Sequence, residues 1–451
     1  MSEERGGFAK NQRWEGGPGP EEPNYWKMVV FLFFLGWVLI YANRTVLSPL
    51  FKIFEEQWGL TRTQLGLLNS AFFLVYTLMQ VPAGLLADRL RRKWVLLPGF
   101  FLQGLGVLAG GLATSYPFFL FSRVVTGLGQ STFYSTQYAL AQAALPQEKR
   151  ALGTSIINSG MSFGIAGGLA LGSLLVYNLA LDWRVPFYLL SVLTLLLSGV
   201  MAWLIAEGPS RSGPGAAVFA AAAERTGGSS GRRDGQSGQH KGAAQGRTWT
   251  SLLTRDLLLS YLTVFATMYG FFVILTWLPF YLQTVRGYTG GEAGLISFLV
   301  PLCAVPAGLL AGRLSDRLGR RRPVMLGLLP LSTLALLLIV LASSRQGLLL
   351  GLVLYGAAGK LVLDPLMVAM VADVTPPSLY ATAFGVLNFC GTISTVLAPA
   401  ITGYLADLTG SFTSGFYLAA LLQGVAFAAL LGVRERGRSP VAQLSVAHSR
   451  S

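Results

Sequence analysis

Gly84-Leu-Leu-Ala-Asp88-Arg89-Leu-Arg91-Arg92-Lys93 returns later in the chain as Gly312-Arg-Leu-Ser-Asp316-Arg317-Leu-Gly319-Arg320-Arg321. Each copy sits between the second and third of a run of long apolar stretches, one run in each half of the chain. A short acidic-basic loop repeated at the same point of two halves predicts a duplicated helical bundle. Basic loops alone would explain the arginines, but they would not put Asp88 and Asp316 in register.

The flanking sequence fits that reading. Of 451 residues, 53% are apolar and only 12% charged, too little charge to cover the surface of a soluble protein. Apolar runs recur that are long enough to cross a hydrocarbon layer of about 30 Å. They fall at 27–54, 65–87, 94–114, 117–144, 151–180 and 184–206, then at 256–284, 290–312, 323–343, 346–373, 381–406 and 412–433. The expected fold is an all-α membrane protein with twelve transmembrane helices in two six-helix, pseudo-symmetric bundles, 27–206 and 256–433. Residues 1–26, 207–255 and 434–451 read as a disordered cytoplasmic N-terminus, linker and tail. The linker is rich in Gly, Ser, Ala and Arg without periodicity, as a solvated tether would be. Glycines inside the spans, such as Gly160, Gly164, Gly167 and Gly168, suit close helix approach in lipid.

Charge sets the expected topology. With the N-terminus inside, the inner segments hold 26 Lys and Arg and the outer loops five. That bias places both termini in the cytoplasm and accounts for most of the net charge of +14 without any nucleic-acid partner. The first residues show no short apolar core or cleavage site, so the first span is expected to act as the insertion signal. Cys303 and Cys390 both fall inside spans and read as small buried side chains.

Three basic residues remain within the spans: Arg44, Arg123 and Lys360. One acid, Asp364, sits well inside a span, and Asp373 lies at an inner end. An ionised group at bilayer depth costs about 2.5–3.5 kcal/mol unless it is paired or faces a wet cavity. One acid cannot neutralise three cations, so an anion arriving from outside is the simplest partner. Arg44 lies about 25 Å along the first span from Lys27, and Arg123 about 9 Å below the outer end of the fourth. The two guanidiniums thus sit at similar heights, and Arg suits bidentate capture of carboxylate or phosphate. Lys360 falls near the middle of span ten and either meets the anion from the opposite half or pairs with Asp364 one turn on.

The repeated loop resembles the hallmark inner loop of the major facilitator superfamily. That resemblance implies a gating role for Asp88, Arg89, Asp316, Arg317 and Arg320, with the Asp meeting a neighbouring helix end and the cations. The first copy has Arg91 where the pattern usually has Gly. Arg123-Val-Val-Thr-Gly127-Leu-Gly129 is similar to the family's span-four pattern. Tyr41-Ala-Asn43-Arg44, Tyr76-x-x-x-Gln80-x-Pro82-x-Gly84, Trp277-Leu-Pro279 and Ala383-Phe-Gly385-Val-Leu-Asn388 resemble the anion:cation symporters, carriers of sugar acids and other organic anions. By this resemblance Tyr41, Arg44, Tyr76, Arg123 and Asn388 would touch substrate. Asn43 and Gln130, however, stand where those symporters carry acids thought to handle the driving proton. Amides cannot titrate near pH 7. Antiport of two anions, as in the related organophosphate antiporters, fits better than proton symport. Facilitated diffusion and Na⁺ coupling stay open, and Asp364 is the remaining proton candidate.

The expected function is secondary transport of a small organic anion (sugar acid, carboxylate or organophosphate) by alternating access. The partners are that anion, the lipid bilayer and a coupling proton, cation or counter-anion. The expected place is the plasma membrane and the expected state a monomer. A drug or metabolite exporter is the alternative, although Gly160–Gly168 lacks the Pro that drug/proton antiporters usually carry in span five. A non-transporting sensor or scaffold is the other. No enzyme, metal or cofactor is expected: His240 and His448, the two histidines, both lie in segments read as disordered.

Overall fold

The computed structural model describes residues 24–146, 149–205, 254–375 and 380–434. The expected cytoplasmic segments 1–26, 207–255 and 434–451 lie almost wholly outside these residues. In the N-terminal half the helices are α1 (Tyr25–Trp58), α2 (Arg62–Arg89), α3 (Arg92–Gly111), α4 (Tyr116–Ser131 and Phe133–Ala144), α5 (Arg150–Ser173) and α6 (Val185–Leu204). In the C-terminal half they are α7 (Arg255–Thr284), α8 (Gly290–Leu318), α9 (Arg322–Leu341), α10 (Arg345–Ala358 and Lys360–Val374), α11 (Tyr380–Thr409) and α12 (Thr413–Gly432).

Eleven of these are long and apolar enough to cross a membrane. The exception is α4, interrupted at Thr132, whose hydroxyl donates to the Gly129 carbonyl at 3.0 Å and competes with the helical ladder. Two other interruptions have local causes. In α8 the bend at Phe298 follows from Pro301, which has no N–H to return to the Ser297 carbonyl. In α10 Gly359 is extended (φ −79°, ψ −168°), so a second half-helix starts at Lys360.

Helix pairing shows the duplication directly. Across the halves α2 packs on α11 and α5 on α8, and exchanging the halves turns one pair into the other. Within the first half α5 lies along α1 because a Cβ at Gly160, Gly164 or Gly168 would collide with the carbonyls of Phe34, Val38 and Ala42. Gly167 faces open space and takes no part.

The apolar core is continuous at one end and divided at the other. At the end remote from the termini, hereafter distal, one cluster runs across both halves. Phe51 meets Trp277 at 5.3 Å and Phe73 meets Phe272 at 4.9 Å between ring centroids. Toward the termini the halves have separate clusters, one confined to 25–205 and the other to 257–433. Polar contacts reinforce the distal seal. Asp407 of α11 accepts from the Arg62 and Thr63 amides at 3.1 and 2.8 Å and from the Thr63 hydroxyl at 2.6 Å. A carboxylate at a helix N-terminus satisfies amides that have no intrahelical partner.

Candidate functional site

Arg44 stands where the continuous core gives way to the division between the halves. Its Nε donates to Gln130 Oε1 of α4 at 2.6 Å, and its guanidinium lies 4.7 Å from the rings of both Tyr41 and Tyr76. Phe73 and Phe72 follow at 5.4 and 5.6 Å. The residue is only 8% exposed, and among the described residues its Nη2 has no hydrogen-bond partner of standard geometry, with Tyr76 close beside the guanidinium. A buried cation held by π-faces and one amide, with a donor left over, is built to receive an acceptor.

Lys360 comes toward the same space from the other half. Its Nζ sits 3.0 Å from Asp364 Oδ2 and 5.5 Å from the Phe271 ring, with Tyr41 and Arg44 within electrostatic reach. As the first residue of the half-helix that starts after Gly359, it adds its charge to the positive end of the helix dipole. Tyr134 and Tyr138 of α4 are within electrostatic reach of Asp364. The space between the halves, the candidate cavity, is therefore bordered by α1, α2 and α4 on one side and α10 on the other. A polar chain joins the halves beside it, from α11 to α2: Asn388 donates to Gln80 Oε1 at 3.1 Å, and Gln80 donates to the Tyr76 hydroxyl at 2.7 Å.

Arg123 departs from the expectation that all three cations share this cavity. It is 3% exposed, and its donors go to the carbonyls of Leu68 (3.4 Å) and Asn43 (3.5 Å) and to Asn69 Oδ1 (3.2 Å). Its guanidinium also lies 4.7 Å from the Phe72 ring. Those acceptors tie α4 to α1 and α2, so Arg123 braces the N-terminal bundle behind Arg44. Asn43 likewise turns from the cavity, donating to Thr194 of α6 at 3.4 Å. Both guanidiniums lie beside the Phe72 ring, at 5.6 Å for Arg44 and 4.7 Å for Arg123, but a depth estimate from sequence could not tell which way each pointed. The bracing role predicts that Arg123→Ala lowers the thermal midpoint in detergent by several degrees. Losing three donors to buried acceptors costs about 1–3 kcal/mol for each acceptor left unpaired.

The repeated loops are built unequally. Gly319 takes the left-handed conformation (φ 62°), whereas Arg91 is extended (φ −67°, ψ 130°), so the second loop runs one residue longer before its helix begins. The cation that reaches the neighbouring helix end shifts accordingly. Lys93 donates to the Ile205 carbonyl at 2.6 Å, while Arg322 reaches the carbonyls of Leu430 (3.0 Å) and Leu431 (2.6 Å). Asp316 pairs with Arg321 at 2.7 Å, and Arg321 extends to Asp373 at 3.9 Å, joining α8 to α10. Arg317 and Arg320, expected in this role, are exposed, as is Arg89. The Asp88 side chain lies outside the described residues.

The model of the Major Facilitator Superfamily matches residues 33–299 and 286–449. The chain belongs to that superfamily and is a multi-pass membrane transporter. It is 28% identical to the "Probable sulfoacetate transporter SauU" of Cupriavidus necator, over 88% of this chain and 91% of that protein. To the D-galactonate transporter of Escherichia coli O6:H1 it is 26% identical, over 90% and 95%. To the hexuronate transporter of Bacillus subtilis it is 26% identical, over 90% and 94%. The fold matches a bacterial homolog of the human lysosomal transporter Spinster, solved inward-facing and unoccupied. That match has a TM-score of 0.67 at 16% identity and covers 91% of this chain and 95% of that one.

Proposed function

We propose that the chain carries a small organic anion across the plasma membrane by alternating access of its two halves. The observation that carries this reading is Arg44, buried, with Nη2 unpartnered among the described residues and Lys360 within electrostatic reach from the other half. Sulfoacetate, galactonate and hexuronate, the compounds named for the relatives, are all anions at neutral pH, which supports it. Arg44 grips one anionic group, Tyr41 and Tyr76 flank it, and Lys360 meets the far end. Asn388 and Gln80 mark the seam across which the halves part. The basic bias puts both termini in the cytoplasm, so the divided end opens inward and the distal end is the outer gate. Residues 27–206 and 256–433 then move as two bundles joined by 207–255, and a monomer suffices, since the whole site lies within one chain. Arg321, Asp316 and Asp373 hold the inner ends of α8 and α10.

Counterflow in vesicles containing the purified protein tests the reading. Labelled D-galactonate, D-glucarate, sulfoacetate and glycerol 3-phosphate should be offered alongside a cationic dye. Exchange of at least one anion and none of the dye is the expected result; dye movement alone would favour the exporter. Lys360→Ala should weaken D-glucarate, a dianion, about tenfold or more while costing D-galactonate less. One charge-assisted hydrogen bond is worth about 1.5–3 kcal/mol.

A further inference from the structure

We propose that Asp364 is the proton-coupling carboxylate of this carrier, displaced from Lys360 by the arriving anion and protonated in the displaced state. The proposal rests on the organic-anion reading above. Asn43 and Gln130 are amides, so neither can take up or release a proton. Among the described residues the other ion pairs, Arg184–Asp182, Arg321–Asp316 and Arg321–Asp373, lie near helix ends. Lys360–Asp364 is the pair near the middle of a span, facing the space between the halves.

The pair is asymmetric in a way that suits exchange. The Lys360 side chain is 11% exposed and that of Asp364 43%. The carboxylate is open to water and protons, while the ammonium behind it is shielded. In the empty carrier Asp364 therefore occupies the place of a substrate anion and neutralises Lys360. An anion that reaches from Arg44 to Lys360 competes with it for the same ammonium. If the anion takes Lys360, Asp364 is left without a counter-ion in a cavity that must close around it. Burying an unpaired carboxylate costs several kcal/mol, and taking one proton from the water on the loading side removes that cost. On the far side the anion leaves, Lys360 reclaims Asp364, and the proton is released to water. One proton and one anion move together, and no bond other than O–H is made or broken.

The neighbours leave Asp364 alone in this task. Tyr41 and Arg44 from α1 and Tyr134 and Tyr138 from α4 are the charged or titratable groups that reach across the cavity toward the pair. Tyr76 of α2 stands beside Arg44. The helices packed on this part of α10 contribute Tyr261 and Tyr269 (α7), Cys303 (α8) and Cys390 (α11), and the preceding half of α10 contributes the buried Tyr355. Arg321, ahead of α9, is engaged by Asp373 further along. None of these side chains is a carboxyl free to replace Asp364, and Arg123 keeps its own acceptors in the first half.

The test uses the full chain in vesicles with a pH-sensitive dye inside and D-glucarate as probe. In the unaltered protein, external D-glucarate should acidify the lumen, and an outside-acid gradient should concentrate the label several-fold. Asp364→Asn should lose both responses while counterflow stays measurable, because an anion can still shuttle on Lys360 but the empty carrier cannot return. Asp364→Glu should restore proton entry. The double change Lys360→Gln with Asp364→Asn removes the pair without orphaning the lysine, and it too should move no protons. Lumen acidification that survives Asp364→Asn would overturn the proposal. So would counterflow without proton movement in the unaltered protein, which is the exchange that the two amides favoured in sequence, and it would leave the anion reading intact. Absence of counterflow for every anion would sink that reading and this proposal with it.

Discussion

Arg44→Ala should lower anion counterflow about a hundredfold or more, the largest effect expected of any side-chain replacement in the cavity. A bidentate pair between guanidinium and carboxylate supplies two charge-assisted hydrogen bonds of about 1.5–3 kcal/mol each, and every 1.4 kcal/mol is a factor of about ten. Little else in the first half could compensate. Arg123 is committed to Leu68, Asn43 and Asn69, and Gln130 presents its Oε1 to Arg44 and not to a ligand. Arg44→Lys should also fail to restore full exchange. An ammonium cannot form the fork, nor present a planar face to the Tyr41 and Tyr76 rings, each 4.7 Å from the guanidinium. The measurement is initial-rate counterflow beside thermal melting in detergent. Arg44→Ala should separate from Arg123→Ala by losing transport with the smaller fall in midpoint. Equal counterflow in Arg44→Ala and the unaltered protein would remove Arg44 from the site.

The fold was legible in sequence because its two signals are insensitive to detail. Membrane spans follow from length and apolarity, and the duplicated loop at 84–93 and 312–321 fixed how the spans divide. The site was legible only in part. Charges at bilayer depth are rare enough to stand out, so Arg44, Arg123, Lys360 and Asp364 could be singled out. Which of them share water depends on helix rotation, which a depth estimate does not contain. Arg123 and Arg44 both approach the Phe72 ring, yet one turns to the carbonyls of α1 and α2 and the other to the space between the halves. The loops show a second kind of blindness. The motif aligns Lys93 with Arg321, but the left-handed turn at Gly319 inserts a residue, so Arg322 does the work of Lys93 and Arg321 is freed to bridge Asp316 and Asp373. Asp407 gave no signal at all. A carboxylate at a span end is ordinary in sequence, and only the packing of α11 on α2 brings it to the amides of Arg62 and Thr63.

That same packing makes Gly66→Val the most damaging change expected outside the cavity. A Cβ at Gly66 would lie well under 3.0 Å from the Pro399 carbonyl oxygen and close to the Ala400 Cα, both backbone atoms of the opposite half. Backbone cannot rotate away, so the collision is relieved only by moving α2 and α11 apart. The reciprocal contact has the same character, since a Cβ at Gly403 would strike the Arg62 carbonyl. Neither bundle needs the contact for its own core: α2 still packs on α4, and α11 on α7. The substitution should therefore spare folding and act on the balance between carrier states. Overpacking costs about 1–3 kcal/mol, and carrier states separated by a few kcal/mol shift tenfold or more under such a bias. The distal seal should open, and transport should fall at least tenfold because the carrier no longer reaches the distally closed state. A cysteine at Ser70, which is 4% exposed and donates to the Val396 carbonyl across the seal, reports this directly. It should resist a membrane-impermeant maleimide in the otherwise unaltered protein and react when Gly66→Val is added. Gly167→Ala, on a glycine that faces open space, should change neither measurement. A Ser70→Cys probe that stays protected beside Gly66→Val, with transport intact, would mean that the distal contact between α2 and α11 is not a gate.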